Sequence, residues 1–253
     1  MTESAQPHWP YPRWLAHRGA GKLAPENTLA AFKLGAAHGW RMFECDVKLS
    51  RDDQPFLLHD DTLERTTNGA GSAGELSWAA LQLLDAGSWH SPAYAGQALP
   101  SLSTVAQYCL AKSFDLNIEI KPTLGTESHT GRIVAQHAAQ LWRGAPQKPL
   151  LTSFQPDALD AARSAAPDLP RGLLLSTLPE GWLARALALG CSAIICQHSL
   201  WDAATASRAK KAGLKLLSYT VNDAQEAVRL WALGVDGLIT DRVDAFGPAA
   251  RWF

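Results

Sequence analysis

Three stretches in the second half of the chain, ALALGCSAII (186–195), AKKAGLKLLSY (209–219) and LWALGVDGLIT (230–240), repeat one theme. An Ala/Leu-rich run of helical period ends in a glycine, and a short β-rich run follows. This is the internal repeat of an α/β barrel rather than of a solenoid. Working outward, strands are predicted at 14–17, 42–47, 116–120, 150–153, 171–175, 193–197, 215–219 and 237–240. Eight is the number that a closed barrel needs, and a chain of 253 residues suits one such domain. Helices are predicted at 28–38, 102–112, 131–142, 156–165, 181–189, 201–212 and 223–233. The first starts after Asn27, a good N-cap, and stops before Gly39. The expectation is an α/β fold, a (β/α)8 TIM barrel spanning 1–253.

One interval breaks the rhythm. After 47 the chain reads as a β-turn-β unit, KLSRDDQPFLLHD (48–60), then as the Gly/Ser/Thr-rich TTNGAGSAGELS (66–77) and DAGSWHSPAYAGQALP (85–100). Residues 60–100 are therefore expected to form a small insertion on the C-terminal face of the barrel, where such loops shape active sites. The competing fold is a doubly wound open sheet, which should carry G-x-G-x-x-G after its first strand. AHRGAGKLAPENT (16–28) has glycines there but not that spacing.

Composition narrows the function. Hydrophobic residues at 47% and charged residues at 19% describe an ordinary globular domain, not a disordered one. A net charge of -1 with no block of like charges argues against a nucleic-acid footprint and against a polybasic membrane patch. No run of about 18 apolar residues offers a membrane span. MTESAQPHWPYPRW (1–14) lacks the basic and apolar segments of a secretory signal. Cys45, Cys109, Cys191 and Cys196 form no CxxC pair and are expected to be reduced and buried, in a cytoplasmic protein.

The chemistry is carried by charges inside strands. In MFECDV (42–47), Glu44 and Asp46 are two apart and share one face, opposite Cys45. In LNIEIK (116–121), Glu119 and Lys121 share a face opposite Ile118 and Ile120. Isoleucines belong against the helices, so the charges should point into the lumen near its top. Like charges about 4 Å apart cost roughly 4 kcal/mol per pair at an effective dielectric near 20. A divalent cation would compensate them, and an all-oxygen donor set selects Mg²⁺ or Ca²⁺ over zinc. An ion network with Lys121 and Arg18 is the alternative. His17 and His59 each end a strand, flanking the carboxylates. Imidazoles titrate near neutrality, so such a pair can take one proton and give another.

Together, AHRGAGKLAPENTLAAF (16–32), FECDVKLSRDDQPFLLHDDTLERTTNG (43–69), GSW (87–89), NIEIKP (117–122), TSF (152–154), YTVND (219–223) and DGLITD (236–241) resemble the glycerophosphodiester phosphodiesterase family, of the short cytosolic bacterial type. The likeness runs from about 14 to 246, and the combination of H-R-G, P-E-N-T, E-x-D, H-D-x-x-L-x-R-T-T-x-G and E-x-K-P is specific. The resemblance implies that Glu44, Asp46 and Glu119 hold one divalent cation and that His17 and His59 are the acid–base pair. Arg18 and Lys121 would bind phosphate, with Glu26 and Asn27 beside metal and phosphate, and Ser153 and Phe154 near substrate. Tyr219 stands where the family commonly has Trp, which implies altered packing of the alcohol. The implied substrate is a small glycerophosphodiester, cleaved to sn-glycerol 3-phosphate and an alcohol.

Two other functions compete with this one. A phospholipase D-like or phosphoinositide-cleaving barrel would need apolar or basic membrane-facing loops, and none stands out. A non-catalytic binder would be expected to lack a histidine or an acid from the set. Of the remaining side chains, His198 is a candidate for lining the pocket, and Trp89 either caps substrate or packs within the insertion. The segment 251–253 is read as packing on the barrel bottom or on a second subunit, which would allow a homodimer.

Overall fold

The computed structural model describes residues 9–247. Eight parallel strands close into a barrel: β1 (Trp14–Ala16), β2 (Met42–Leu49), β4 (Asp115–Ile120), β5 (Leu150–Ser153), β6 (Arg171–Leu175), β7 (Ala193–Gln197), β8 (Lys215–Tyr219) and β9 (Gly237–Thr240). Closure comes from β1, which pairs β9 along its length and β2 at Ala16↔Phe43. The short β3 (Pro55–Leu57) is the return arm of the expected β-turn-β unit and pairs β2 antiparallel. The α-helices among the described residues are α1 (Leu29–Ala37), α2 (Trp78–Leu81), α3 (Leu102–Ala111), α4 (Glu127–Leu141), α5 (Pro156–Ala165), α6 (Trp182–Ala188), α7 (Ala203–Lys211) and α8 (Ala224–Ala232). The C-terminal 251–253 lies outside the described residues, as does His8.

Alternation along each strand sorts side chains into two cores. Phe43, Cys45, Val47, Ile118, Ile120, Ile194, Leu216 and Leu238 face outward and pack with Phe32, Val105, Val134, Leu159 and Leu230 of the helices. Leu15, Met42, Leu150, Ile195, Leu217 and Ile239 fill the lower lumen with Tyr11. Truncating one of these buried leucines to alanine would cost about 2–5 kcal/mol. Because Met42 faces the lumen, so do Glu44 and Asp46 above it. The lumen thus changes from apolar to acidic going up one strand.

Two boundaries differ from the sequence reading for physical reasons. Thr28, not Asn27, caps α1: its hydroxyl accepts from the Ala31 amide, while Asn27 sits at φ 58 with its side chain engaged elsewhere. Helix α4 starts four residues before the predicted 131, and Gly131 lies inside it. A Cβ there would stand 2.1 Å from the Ala158 carbonyl, so the glycine lets α4 lie close against α5. Residues 60–100 have little regular structure. They carry a small core of their own, in which Leu63, Ala73, Leu81, Ala86 and Leu99 pack on Phe56 and Leu58.

Candidate active site

At the carboxyl ends of the strands, β2 and β4 bring Glu44, Asp46 and Glu119 together, each offering an oxygen within 4.8 Å of the others. The register explains this, since Asp46 is directly opposite Glu119 across the parallel pair. All three are buried. Asn27 clamps Asp46 from the β1–α1 loop: its Nδ2 donates to Oδ2 at 2.8 Å and its Oδ1 accepts from the Asp46 amide at 3.1 Å. That loop turns tightly. Arg18 adopts φ 51 so that its amide donates to Glu44 Oε2 at 3.0 Å. Gly21, at φ 56, passes so near Asp241 that a Cβ would come within 2.0 Å of its carbonyl.

Cations partly balance the acids. Arg18 Nε lies 3.3 Å from Asp46, and Lys121 Nζ lies 3.2 Å from Glu119 and 4.0 Å from Asp46. The ion network read as an alternative to a metal is therefore present, but it stops one charge short. Glu44 has only the Arg18 amide and, at 3.8 Å, His17 Nε2, and its Oε1 is buried without a hydrogen-bond partner. Burial, then the Asp46 and Glu119 charges, push the Glu44 carboxyl well above the usual carboxylate range. Burial and Asp46 raise Glu119 to about 7. Burial acts upward on Asp46 too, but Arg18, His59 and Lys121 bring it below the ordinary value. A trio of buried oxygen donors lacking one positive charge fits a hard divalent cation.

The two histidines stand on either side with matching orientation. His17, just beyond β1, places Nδ1 2.6 Å from Asp241 Oδ1, leaving Nε2 toward Glu44. His59, beyond β3, places Nδ1 2.7 Å from Asp60 Oδ1, while its Nε2 accepts from Lys121 Nζ at 3.2 Å. A carboxylate only accepts, so each Nδ1 carries the hydrogen and each Nε2 is turned inward, that of His59 accepting from Lys121. Burial is the chief cause that lowers His59 below the ordinary histidine value. Burial pushes Asp241 upward, yet the hydrogen bond from His17 prevails and holds it at about 2.

A cavity of about 400 Å³ opens beside the trio, lined by Lys48, His59, Asp60, Asp61, Glu119, Lys121, Phe154 and Gln155 among others. Lys48, almost fully buried on the same face of β2 as Asp46, is held by Asp61 at 2.6 Å. Tyr219 meets Phe154 edge-on at 5.7 Å and donates its hydroxyl to the Leu175 carbonyl. Ser153 is fully buried and its hydroxyl is committed to backbone, donating to Ile120 O and accepting from the Gln155 amide. Glu26 turns from the trio and pairs with Arg18 at 2.7 Å. His198 lies outside the cavity lining, bonded to Glu226 at 2.7 Å. Trp89 is half-exposed at the edge of the insertion and belongs neither to its core nor to the cavity wall.

Four side chains close to this chemistry lie in the quoted motifs but receive no role from the sequence alone: Asp241, Asp60, Asn222 and Arg65. Asn222 donates to Asp241 Oδ2 at 2.9 Å and accepts from its amide, fixing the carboxylate that holds His17. The available signal was a carboxylate next to a strand end in HDD (59–61) and ITD (239–241).

Comparison with known proteins bears on the fold and the family. The model of the glycerophosphoryl diester phosphodiesterase family matches residues 17–245. A glycerophosphodiester phosphodiesterase of Caldanaerobacter subterraneus subsp. tengcongensis is 32% identical over 234 residues, covering 90% of this chain and 93% of its own. A phosphodiesterase of Oleispira antarctica, solved in complex with the product sn-glycerol-3-phosphate, superimposes with a TM-score of 0.84 at 35% identity, covering 91% of this chain and 93% of that one. The glycerophosphodiester phosphodiesterase of Agrobacterium tumefaciens gives 0.75 at 28% identity, over 92% and 97%. Among the described residues, no helix is long and apolar enough to cross a membrane. With its family motifs gathered at one end of a closed barrel, and the match spanning nearly every described residue, this chain belongs to the glycerophosphoryl diester phosphodiesterase family.

Proposed function

We propose that this chain hydrolyses small glycerophosphodiesters, such as glycerophosphocholine or glycerophosphoethanolamine, to sn-glycerol 3-phosphate and a free alcohol. The observation that carries the reading is the pair of imidazoles, each with Nδ1 bonded to an aspartate and Nε2 turned toward the same carboxylate cluster. The product bound to the Oleispira antarctica relative supports the same substrate class.

Position supports the following roles. Glu44, Asp46 and Glu119 would hold Mg²⁺ or Ca²⁺, which supplies Lewis-acid charge at the phosphate and at the neighbouring hydroxyl. His17 Nε2 takes the proton of the glycerol hydroxyl next to the ester, and Asp241 steadies the imidazolium that results. The hydroxyl oxygen bonds to phosphorus, the bond to the alcohol breaks, and His59 hands a proton to the departing oxygen. Water, giving a proton to His59, then bonds to phosphorus, the cyclic P–O bond to the glycerol oxygen breaks, and that oxygen takes back the proton from His17. The sum is diester plus water giving sn-glycerol 3-phosphate plus alcohol. Arg18 and Lys121 face the charge that builds on the phosphoryl oxygens. A bound phosphate would draw Lys121 away from His59 Nε2 and raise that nitrogen's affinity for a proton. Asn27 fixes Asp46, while Phe154 and Tyr219 wall the alcohol side.

The test is product analysis by ³¹P NMR with glycerophosphocholine, with and without EDTA. Sn-glycerol 3-phosphate and choline, formed only with divalent metal, are expected. Phosphocholine as product, or turnover of intact phospholipid in preference to glycerophosphocholine, would overturn the assignment.

A further inference from the structure

We propose that Arg65 is a positioning residue for His59, a two-ended clamp across the mouth of the site; this rests on the reading of His59 as proton donor. Arg65 belongs to the insertion and touches none of the metal-binding acids. Its guanidinium donates to both oxygens of two carboxylates at once. Nη1 and Nη2 reach Glu26 at 2.9 and 2.7 Å, and Nε and Nη2 reach Asp60 at 2.5 and 3.0 Å. A continuous chain of ion pairs, ending in a hydrogen bond to the imidazole, results: Arg18, Glu26, Arg65, Asp60, His59. It ties the β1–α1 loop to the turn after β3, two segments far apart in sequence. Only a planar fork of five N–H donors can hold two carboxylates edge-on in this way; a lysine could satisfy one.

The two ends differ in how much they depend on Arg65. Arg18 has a second anchor, since its Nε also lies 3.3 Å from Asp46, and its own amide is tied to Glu44. His59 Nδ1 has Asp60 alone among its described partners, and Asp60 has only His59 and Arg65. Asp60 is 27% exposed, so without the clamp it is free to swing into water and release the imidazole. The expected consequence is a defect in the step that His59 performs, with substrate binding largely spared.

That distinction gives a readout that general loosening of the fold would not move. Arg65→Gln and Arg65→Ala are assayed with glycerophosphocholine, whose alkoxide must be protonated, and with the p-nitrophenyl ester of glycerol phosphate, whose phenolate departs without a proton. On glycerophosphocholine kcat is expected to fall about 10- to 100-fold with KM changed by less than about threefold, the usual scale for losing an outer carboxylate support of histidine. On the p-nitrophenyl ester kcat should stay within about threefold of the parent. Arg65→Lys keeps the charge and guards against a folding failure; it should show the same dependence on leaving group, in weaker form. Equal losses on both esters, or parental kcat on both, would overturn the proposal. His59→Ala in parallel separates this from the underlying reading. If that variant loses equally on both esters, it is the proton-donor role of His59 that fails.

Discussion

His17 Nδ1 and Asp241 Oδ1 lie 2.6 Å apart across the seam where the first and last strands of the barrel meet. The contact puts the hydrogen of His17 on Nδ1 and holds its ring plane, and it couples that side chain to barrel closure. Asp241→Asn would reverse the hydrogen-bonding demand at Nδ1 and present the wrong nitrogen to substrate. We expect kcat for glycerophosphocholine to fall by about 10- to 100-fold, with the melting temperature nearly unchanged. Unaltered kcat in Asp241→Asn would show that the bond is structural only.

Glu44 is the acid with the least compensation. Removing its charge should therefore stabilise the metal-free barrel while abolishing its response to metal. Glu44→Gln keeps an acceptor for the Arg18 amide. We expect it to unfold about 1–2 kcal/mol later than the parent in EDTA, a fraction of the roughly 4 kcal/mol that a like-charge pair costs near 4 Å. The melting temperature of Glu44→Gln should then fail to rise on adding Mg²⁺ or Ca²⁺. Thermal melts of both proteins, with and without metal, decide it; a parent that ignores both ions would contradict the metal assignment.

At the opposite end of the barrel, Asp115 begins β4, and burial raises its carboxyl from 3.8 to about 6. Between those values the folded protein binds more protons than the unfolded chain, so stability falls as pH rises through that window. The full penalty is present above about pH 6. For a dry group it would be about 3 kcal/mol, and for this half-exposed one about 1 kcal/mol is expected. Asp115→Asn should match the parent near pH 4 and exceed it by about 1 kcal/mol at pH 7.5 in urea titrations. A constant difference across pH would contradict the burial argument.

Gly131 makes the packing of α4 on α5 testable. Alanine is normally the better helix former by about 1 kcal/mol. Here its methyl group would meet the Ala158 carbonyl, and Gly131→Ala should instead destabilise by about 1–3 kcal/mol. Equal or greater stability in calorimetry would mean that the two helices can separate freely.

The carboxylate trio was legible because it depends only on alternation within a strand. Once Ile118 and Ile120 are set against the helices, Glu119 has to face inward, and Glu44 and Asp46 follow by the same parity. The eight strands were legible for a similar reason, as the helix–Gly–strand rhythm is local. What sequence could not supply was adjacency created by closure. Asp241 supports His17 only because the last strand returns to the first. Arg65 matters only because an irregular insertion folds back onto the β1–α1 loop, and no periodicity marks that. Asn27 misled for a subtler reason: it has the chemistry of a helix cap, but its amide is held by Asp46, and Thr28 takes the capping role.

The most direct measurement is the turnover of glycerophosphocholine by His17→Ala and His59→Ala at saturating divalent metal. Each is expected to lose at least about 10²-fold in kcat, the usual size of an acid–base contribution. Near-full turnover by either would contradict the account of two inward-facing imidazoles working across one acidic cluster.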